Sequence, residues 1–371
     1  MIPVRLTNAT IRSGFGNDYG DLWRSFGSDT RPLAQRAIDD LAAHDPKWTE
    51  LAIDRKTARA TDKQSRLLLA AAIECADAVE EAQRALCGLY LGLPTVDEPV
   101  PHMSALQDWH EDCGRTPLSE HLKRHTAPLA WLSMLNSSAA AHVSARLRIT
   151  GPMAVYSPFG DAGLNALIDA ALAVADGECS QALVGAVSPK HDPILTVQYA
   201  HWCTPDQRVP LAEASACLLL SSTGDDEVSV DDTICMHGYA RGFEPTPWRD
   251  HASIARGIES AIAMAGLAAN DIGWVLMPSA WNAAQQQALS AVTASFVSTA
   301  AVLPVERVLG RLGPAAPVLA AGLVMQGLKC GYALHCEGSE LQQRALRTRN
   351  CLVVALGPHG QYAVTVIGGA R

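Results

Sequence analysis

Aromatic residues are scarce in this sequence, at 5%, and charged residues make up only 18% of it. Together with 48% hydrophobic residues, this scarcity excludes a disordered chain and predicts a folded protein with a large core. An excess of positive charge is also lacking, because the formal net charge is −9. A phosphate backbone binds to basic surfaces, so we expect no nucleic-acid partner.

No apolar run reaches membrane-spanning length, and the first residues show no basic segment followed by an apolar one. These absences predict a soluble, cytoplasmic protein with no membrane partner. The ten cysteines include no CxxC pair, and several lie inside apolar runs. We therefore expect reduced thiols, most of them buried.

The most metal-like stretch is the run Trp109-His110-Glu111-Asp112-Cys113, with His102 before it and His121 and His125 after it. His121 and His125 share one face of a predicted helix, but the glutamate of the zinc-protease motif is lacking between them. A solvated loop and helix is therefore the favoured interpretation. The chain has two glycine-rich turns, Gly14-Phe15-Gly16-Asn17 and Gly357-Pro358-His359-Gly360. Neither has the spacing or the lysine of a nucleotide-binding loop. We predict no metal and no cofactor.

From residue 129 onward, short apolar stretches of strand length alternate with helical patterns, which predicts an α/β fold with a parallel sheet. An acidic turn, Thr223–Glu227, separates two stretches of similar pattern. We place a domain boundary there, with an N-terminal half over residues 1–223 and a C-terminal half over residues 224–371. The proline-rich region Pro94–Pro128 is expected to be largely loop.

The segment Arg148-Ile149-Thr150-Gly151-Pro152 is followed by a predicted strand, Met153–Ser157, and by the turn Ser157-Pro158-Phe159-Gly160-Asp161-Ala162-Gly163-Leu164. This arrangement resembles the nucleophile region of β-ketoacyl synthases, in which a strand leads into a turn of the form T-A-C-x-S-G-L and then a helix. In this match Gly160 stands at the position of the catalytic cysteine.

Further segments are similar to motifs of the same family. Pro278, or Ser279 if the register slips by one residue, stands at the first catalytic histidine, and Arg311 stands at the second. Glu306 takes the place of the family's lysine. The segments that carry this resemblance are Asp176–Ala186, Leu211–Leu220 with its acidic Glu213, Ile272–Ser279, Glu306–Ala316 and Leu356–Gly360.

The resemblance implies a thiolase-like five-layered αβαβα fold, built from two similar βαβαβ halves. The family activity is β-ketoacyl-ACP synthesis, which needs a thiolate to accept the acyl chain and two imidazoles to assist decarboxylation. Glycine, proline and arginine do not supply these groups, so we expect no condensation by this chain alone.

The expected role is that of a non-condensing, chain-length-factor-like pseudoenzyme subunit. It would pair with a catalytic ketosynthase as a heterodimer and shape the acyl tunnel in polyketide or fatty-acyl biosynthesis, for example of the aryl-polyene type, and it would meet the acyl carrier protein only indirectly. Better-known chain-length factors carry glutamine at the position of Gly160. The pocket or interface candidates are Phe159, Trp131, Leu132 and Met134, and the candidates for a residual oxyanion turn are Gly160, Gly357 and Gly360.

Two alternatives remain open at this point. The first is an acyltransferase or thioester hydrolase with a relocated nucleophile, such as Ser157, Ser279 or a displaced cysteine. The second is a homodimeric acyl-binding scaffold. For Phe159, an ordinary place in the core is the simplest interpretation, and for the helix that carries Trp131 and Met134 an ordinary apolar helix face is an equal alternative.

Overall fold

The structure is a computed structural model that describes residues 3–28, 41–94, 99–126, 135–223, 233–246, 252–296, 300–337 and 340–370. Within these ranges the chain forms twelve strands and thirteen α-helices. The strands are β1 (Val4–Ser13), β2 (Gly88–Gly92), β3 (Met153–Tyr156), β4 (Gln181–Val187), β5 (Ala214–Ser221), β6 (Ile234–Phe243), β7 (Trp274–Met277), β8 (Ala301–Pro304), β9 (Tyr332–Glu337), β10 (Glu340–Ala345), β11 (Asn350–Leu356) and β12 (Gln361–Gly369).

The helices alternate with the strands over most of the chain. They are α1 (Tyr19–Ser28), α2 (Arg55–Ala60), α3 (Lys63–Ala76), α4 (Glu81–Arg84), α5 (Pro99–Glu111), α6 (Leu118–His125), α7 (Asn136–Leu147), α8 (Gly160–Ala175), α9 (Pro193–Trp202), α10 (Ala252–Met264), α11 (Ala283–Phe296), α12 (Val305–Leu309) and α13 (Ala315–Cys330). None of the helices in these ranges is long and apolar enough to cross a membrane.

Ten strands form one sheet in the order β3-β2-β4-β5-β1-β6-β12-β11-β7-β8. In its first half, β3, β2 and β4 are parallel, whereas β5 and β1 pair antiparallel. The second half repeats this arrangement from the other end, with β8, β7 and β11 parallel and β12 and β6 antiparallel. Among the described strands, the two halves of the sheet are hydrogen-bonded to each other through the short pairing of Val4 and Arg5 with Met236 and Cys235.

Helices α8 and α13 form the central layer, because each packs on strands from both halves of the sheet. Small residues allow this close packing: a Cβ added at Gly163 of α8 would lie 1.9 Å from the Pro314 carbonyl oxygen at the start of α13. Outside the sheet, α3 covers β1, β4 and β5, and α10 covers β6 and β12. The layers follow the order αβαβα, so the predicted fold class is confirmed. The division into two domains at residue 223 stays a prediction.

The prediction that Pro94–Pro128 is largely loop is wrong. This region contains α5 and α6, which pack against each other. Pro99 is the first residue of α5 and Pro117 directly precedes α6, and both are positions where proline does not interrupt a helix.

Candidate functional site

The turn between β3 and α8 presents Gly160 at the start of the helix. Strand β3 ends at Tyr156, and Phe159 is the residue that directly precedes the first turn of α8. A Cβ added at Gly160 would lie 3.2 Å from the Leu356 carbonyl oxygen, which is closer than most Cβ contacts. The glycine therefore allows the helix to begin directly against the end of β11. A larger residue would require the start of α8 or the Leu356 carbonyl to shift.

Of the two expected histidine positions, Pro278 lies beside this turn, whereas Arg311 lies behind it against Glu306; their assignment stays a prediction. Pro278 follows β7 and lines a cavity with Gly160, Glu306 and Leu356. The volume of this cavity is about 10 Å³. That is room for about one water molecule and far less than a substrate requires.

Arg311 is 1% exposed and lies in a buried ion pair with Glu306, with 3.3 Å between Nη1 and Oε2. Its guanidinium also donates to the Ala280 carbonyl at 3.1 Å and stacks 4.0 Å from the centre of the Trp281 ring. A guanidinium is protonated at all physiological pH values and donates hydrogen bonds only. Arg311 therefore pairs with a buried carboxylate and offers no hydrogen-bond acceptor of its own.

Glu306 holds the surrounding loops through backbone hydrogen bonds. Its carboxylate accepts the N–H groups of Ser279 at 3.1 Å, Leu312 at 3.1 Å and Gly313 at 3.2 Å. The acid thus ties the residue after Pro278 to the loop that carries Arg311. Glu306 therefore fixes the two segments to each other, and both of its carboxylate oxygens already accept hydrogen bonds.

Phe159 is the centre of a cluster of rings that fills the space beside Gly160. Its ring centroid is 5.0 Å from that of Trp202, 5.5 Å from Trp281 and 5.7 Å from His359, all in edge-to-face geometry. Tyr199 joins the cluster at 6.4 Å, and burial raises the pKa of its hydroxyl. Phe159 is 3% exposed, which agrees with its interpretation as a core residue.

The sequence-based prediction missed Tyr199, Trp202, Trp281 and His359. The four residues come from three distant segments, and no spacing rule places them together. One signal was present: Trp281 lies two residues after Ser279, close to the expected histidine position, in a chain with few aromatic residues.

In the candidate oxyanion turn at Gly357–Gly360, most backbone N–H groups are already bonded or missing. The Gly357 N–H donates to the Gln361 carbonyl at 2.8 Å, and the His359 N–H donates to Gln361 Oε1 at 3.1 Å. Pro358 carries no N–H. The residual oxyanion role stays a prediction and rests on the N–H groups of Gly160 and Gly360.

The candidates for a relocated nucleophile lie in different surroundings. The Ser157 hydroxyl donates to the Pro94 carbonyl at 3.4 Å, and Ser279 is 5% exposed. The cysteines are free thiols, of which Cys113 and Cys330 are exposed. Burial raises the pKa of Cys203, the cysteine at the end of α9, so its thiolate is disfavoured.

A second candidate region lies on the surface, next to the same turn. Among the described residues β3 pairs only with β2, so its other edge is free, and Met153 and Val155 on it are 45% and 36% exposed. Helix α8, which follows β3, carries Asp161, Asn165 and Asp169 at four-residue spacing, all partly exposed, with Asp161 Oδ1 directed toward Gly357. We refer to these five residues as the β3/α8 face.

The polar residues of the β3/α8 face are unequally satisfied. Asp169 accepts a hydrogen bond from the Tyr156 hydroxyl and pairs with Arg241 at 2.7 Å. In contrast, Asp161 Oδ1 and Asn165 Oδ1 are shielded from solvent and have no hydrogen-bond partner. Burial raises the pKa of Asp161 to about 6.

Three interface candidates, Trp131, Leu132 and Met134, lie outside the described residues.

Two of the histidines considered for a metal site, His121 and His125 of α6, lie close to acidic residues in or directly after α5. His125 Nε2 lies 2.6 Å from Asp108 Oδ2, and His121 Nε2 lies 3.6 Å from Asp112 Oδ2. Within the part of the chain that the structure describes, no three His, Cys, Asp or Glu side chains are grouped as metal ligands.

The family model of the β-ketoacyl synthase N-terminal domain matches residues 18–216 of the chain. No curated protein sequence is significantly similar to it. Among solved structures, a β-ketoacyl synthase from Burkholderia phymatum STM815 is similar with a TM-score of 0.78 and 16% identity, and the match covers 100% of both chains.

Two further structures show the same similarity of fold. The oxazolomycin ketosynthase domain OzmH KS7 of Streptomyces albus JA3453 matches with a TM-score of 0.77 and 16% identity, over 100% of this chain and 75% of that one. The ketosynthase from module 6 of the bacillaene synthase of Bacillus subtilis 168 matches with a TM-score of 0.73 and 16% identity, over 100% and 72%.

Proposed function

This chain belongs to the β-ketoacyl synthase family, and from that premise we propose that it is a non-condensing subunit. In this role it pairs with a catalytic ketosynthase and contributes to the wall of the acyl tunnel in polyketide or fatty-acyl biosynthesis, as a chain-length-factor-like protein does. Contact with the acyl carrier protein is then made mainly by the partner.

The observation that carries the proposal is the packed centre at the place of the catalytic residues. The position of the nucleophile is Gly160, and the cavity next to it has a volume of about 10 Å³. The positions of the histidines hold Pro278 and an Arg311 committed to Glu306. Acyl transfer to a thiolate and decarboxylation assisted by imidazoles therefore both lack their chemical groups.

The pairing part of the proposal is supported by the β3/α8 face. A free strand edge offers unpaired backbone N–H and C=O groups, and proteins usually protect such edges. Here the edge carries two exposed apolar side chains, Met153 and Val155, beside a helix with unsatisfied polar atoms. A surface of this kind is typical of a protein interface.

We propose testing the interface with the double variant Met153→Glu and Val155→Asp. The chain is co-expressed with a ketosynthase that has an intact cysteine and both histidines, taken from the neighbouring genes. We expect co-purification to be lost, because charges enter the apolar strand edge, while far-UV circular dichroism stays unchanged. Val197→Asp on α9 is the matched control, since Val197 is 70% exposed and lies away from β3.

Retention of the pair by the double variant would place the interface elsewhere, and the absence of any pair with wild-type protein would refute the proposed function. The mass of the intact chain after incubation with acyl thioesters tests the alternative of a relocated nucleophile. A covalent adduct on the purified chain would favour an acyltransferase or hydrolase. A stable homodimer that never exchanges with the ketosynthase would favour a scaffold.

A further inference from the structure

The β8 end of the ten-stranded sheet is covered by a histidine side chain. Among the described strands β8 pairs only with β7, so its other edge has no strand neighbour. The backbone N–H of Val302 points to that edge and donates to Nδ1 of His335 at 2.9 Å. His335 lies on β9, which packs against β8 and pairs with β10 in a separate two-stranded sheet. A side chain thus takes the place that a neighbouring strand would fill.

Val302 carries the donor that decides whether this edge is open. In a strand paired on one side, successive N–H groups point alternately toward the neighbour and away from it. The Ala301 N–H donates to the Gly273 carbonyl, on the β7 side, at 3.0 Å. Val302 and Pro304 therefore take the outward positions, and proline has no N–H to donate. Within the four residues of β8, the bond to His335 satisfies the one outward donor.

This hydrogen bond requires a neutral imidazole. Nδ1 accepts only when it carries no proton, so the ring proton must be on Nε2. An imidazolium has N–H groups at both positions, and its Nδ1–H would oppose the N–H of Val302. Burial of His335 and the nearby Arg344 guanidinium both lower the pKa of the imidazole, which favours the neutral form in the folded chain.

We propose that His335 is a proton-controlled cap on the β8 edge. The neutral imidazole closes this end of the sheet, and the imidazolium releases the Val302 N–H and leaves the edge open to strand addition. While the cap is closed, β3 is the terminal strand of the described sheet that offers a free edge. This inference does not depend on the proposed function, since it concerns the opposite end of the sheet.

Charged groups near the imidazole set the pH at which the cap opens. Glu337 on β9 raises the pKa of His335, against the effect of Arg344 on β10, and these two side chains pair at 3.0 Å. The four residues of β8 carry no titratable side chain. The remaining titratable groups on β9 and on the elements around it are Tyr332, Cys336, Glu340, Lys329, Cys330 and Arg307. Because Arg344→Ala removes a nearby cation and leaves Glu337 unpaired, it should move the opening to a higher pH.

Hydrogen–deuterium exchange at single amides tests the cap, with protection factors corrected for the intrinsic effect of pH on exchange. We expect the protection of the Val302 amide to fall about tenfold between pH 8 and pH 4.5 in the wild type, because its hydrogen bond is lost. The adjacent Ala301 amide, bonded to the β7 side, is the internal control and should keep its protection.

Two variants of the same residue separate the cap from a general effect of acid. His335→Leu should lack the extra protection of Val302 at both pH values. His335→Gln should keep it at both, because an amide oxygen accepts at any pH. The matched histidine control is His237→Gln, since the His237 ring donates to the Gly369 carbonyl and a protonated ring keeps that bond. This control should leave the pH dependence at Val302 unchanged.

The nitrogen chemical shifts of His335 give a second readout and should show the Nε2–H tautomer at pH 8. If Val302 keeps its protection at pH 4.5 in the wild type, the imidazole does not control the edge and the inference is overturned. A loss of protection in His335→Gln as large as that of the wild type also overturns it, and so does an Nδ1–H tautomer at pH 8.

Discussion

The centre around Gly160, Trp281 and Arg311 and the β3/α8 face both adjoin the turn between β3 and α8, and their apolar side chains are exposed to very different degrees. In the centre, Arg311 and Glu306 pair with each other and the aromatic rings fill the remaining space. On the face, the apolar side chains of Met153 and Val155 are exposed. Buried polar atoms without a partner occur in both regions, for example Arg311 Nε in the centre and Asn165 Oδ1 on α8, so the difference between the regions is one of apolar exposure.

The largest expected effect concerns the packed centre. We expect Arg311→Ala to lower the free energy of unfolding by about 3–5 kcal/mol, because it leaves the Glu306 carboxylate buried without its cation. Urea unfolding measures this difference. The control is Arg344→Ala, whose pair with Glu337 has side chains 44% and 65% exposed and for which we expect a change of about 0–1 kcal/mol.

Equal small effects for Arg311→Ala and Arg344→Ala would mean that water reaches the centre, and the contrast with the face would disappear.

The second prediction concerns Asp161 on the β3/α8 face, where we expect a smaller change in the free energy of unfolding, and of opposite sign. The pKa of Asp161 rises from 3.8 to about 6 on folding, so the folded chain favours the protonated carboxyl. This contribution to stability is present below pH 4, declines as the pH rises through about 6 and is lost above it. We therefore expect Asp161→Asn to raise the free energy of unfolding at pH 8 by about 1–2 kcal/mol, and by less at pH 5.

The pH dependence of urea unfolding, measured on the chain alone for wild type and Asp161→Asn, checks this sign. A variant that is less stable than wild type at pH 8 would show that the carboxylate is satisfied in the free chain.

The smallest effect, essentially none, is expected when a cysteine is placed at the proposed nucleophile position. Gly160→Cys should leave condensation of acyl and malonyl carrier-protein thioesters at background, since Pro278 and Arg311 still stand at the histidine positions. The new thiol would meet the Leu356 carbonyl region next to a cavity of about 10 Å³. We expect it to react with iodoacetamide far more slowly than the exposed Cys113 and Cys330.

A fully active Gly160→Cys chain would instead show that the assignment of positions is wrong and that the centre opens in solution.

Much of the fold could be predicted from the sequence because its signals are local. The alternation of apolar stretches from β3 to α8 and from β7 to α11 places each element close to its observed bounds. Prediction failed at α5 and α6, where several prolines and histidines obscure the apolar pattern. It also missed α9 and β10, which show no clear periodicity of their own.

The candidate site could be predicted only in part, for a similar reason. The family resemblance assigned Gly160, Pro278 and Arg311 to the catalytic positions, and this assignment stays a prediction. In the structure Gly160 and Pro278 line one small cavity, and Arg311 donates to the Ser279 carbonyl beside it. The ring contacts beside Gly160 join residues that are far apart in sequence, for example Phe159 with Trp202 and with His359. Such contacts depend on the packing of several elements, which no single stretch of sequence records.

The position of β12 has a consequence for how the protein is made. This strand lies between β6 and β11 in the interior of the sheet, yet it follows both of them in the sequence. During synthesis, β6 and β11 therefore expose unpaired backbone edges until residues 361–369 have left the ribosome. The second half of the sheet closes only then, and chains interrupted before this point carry two open edges on which other nascent chains can pair.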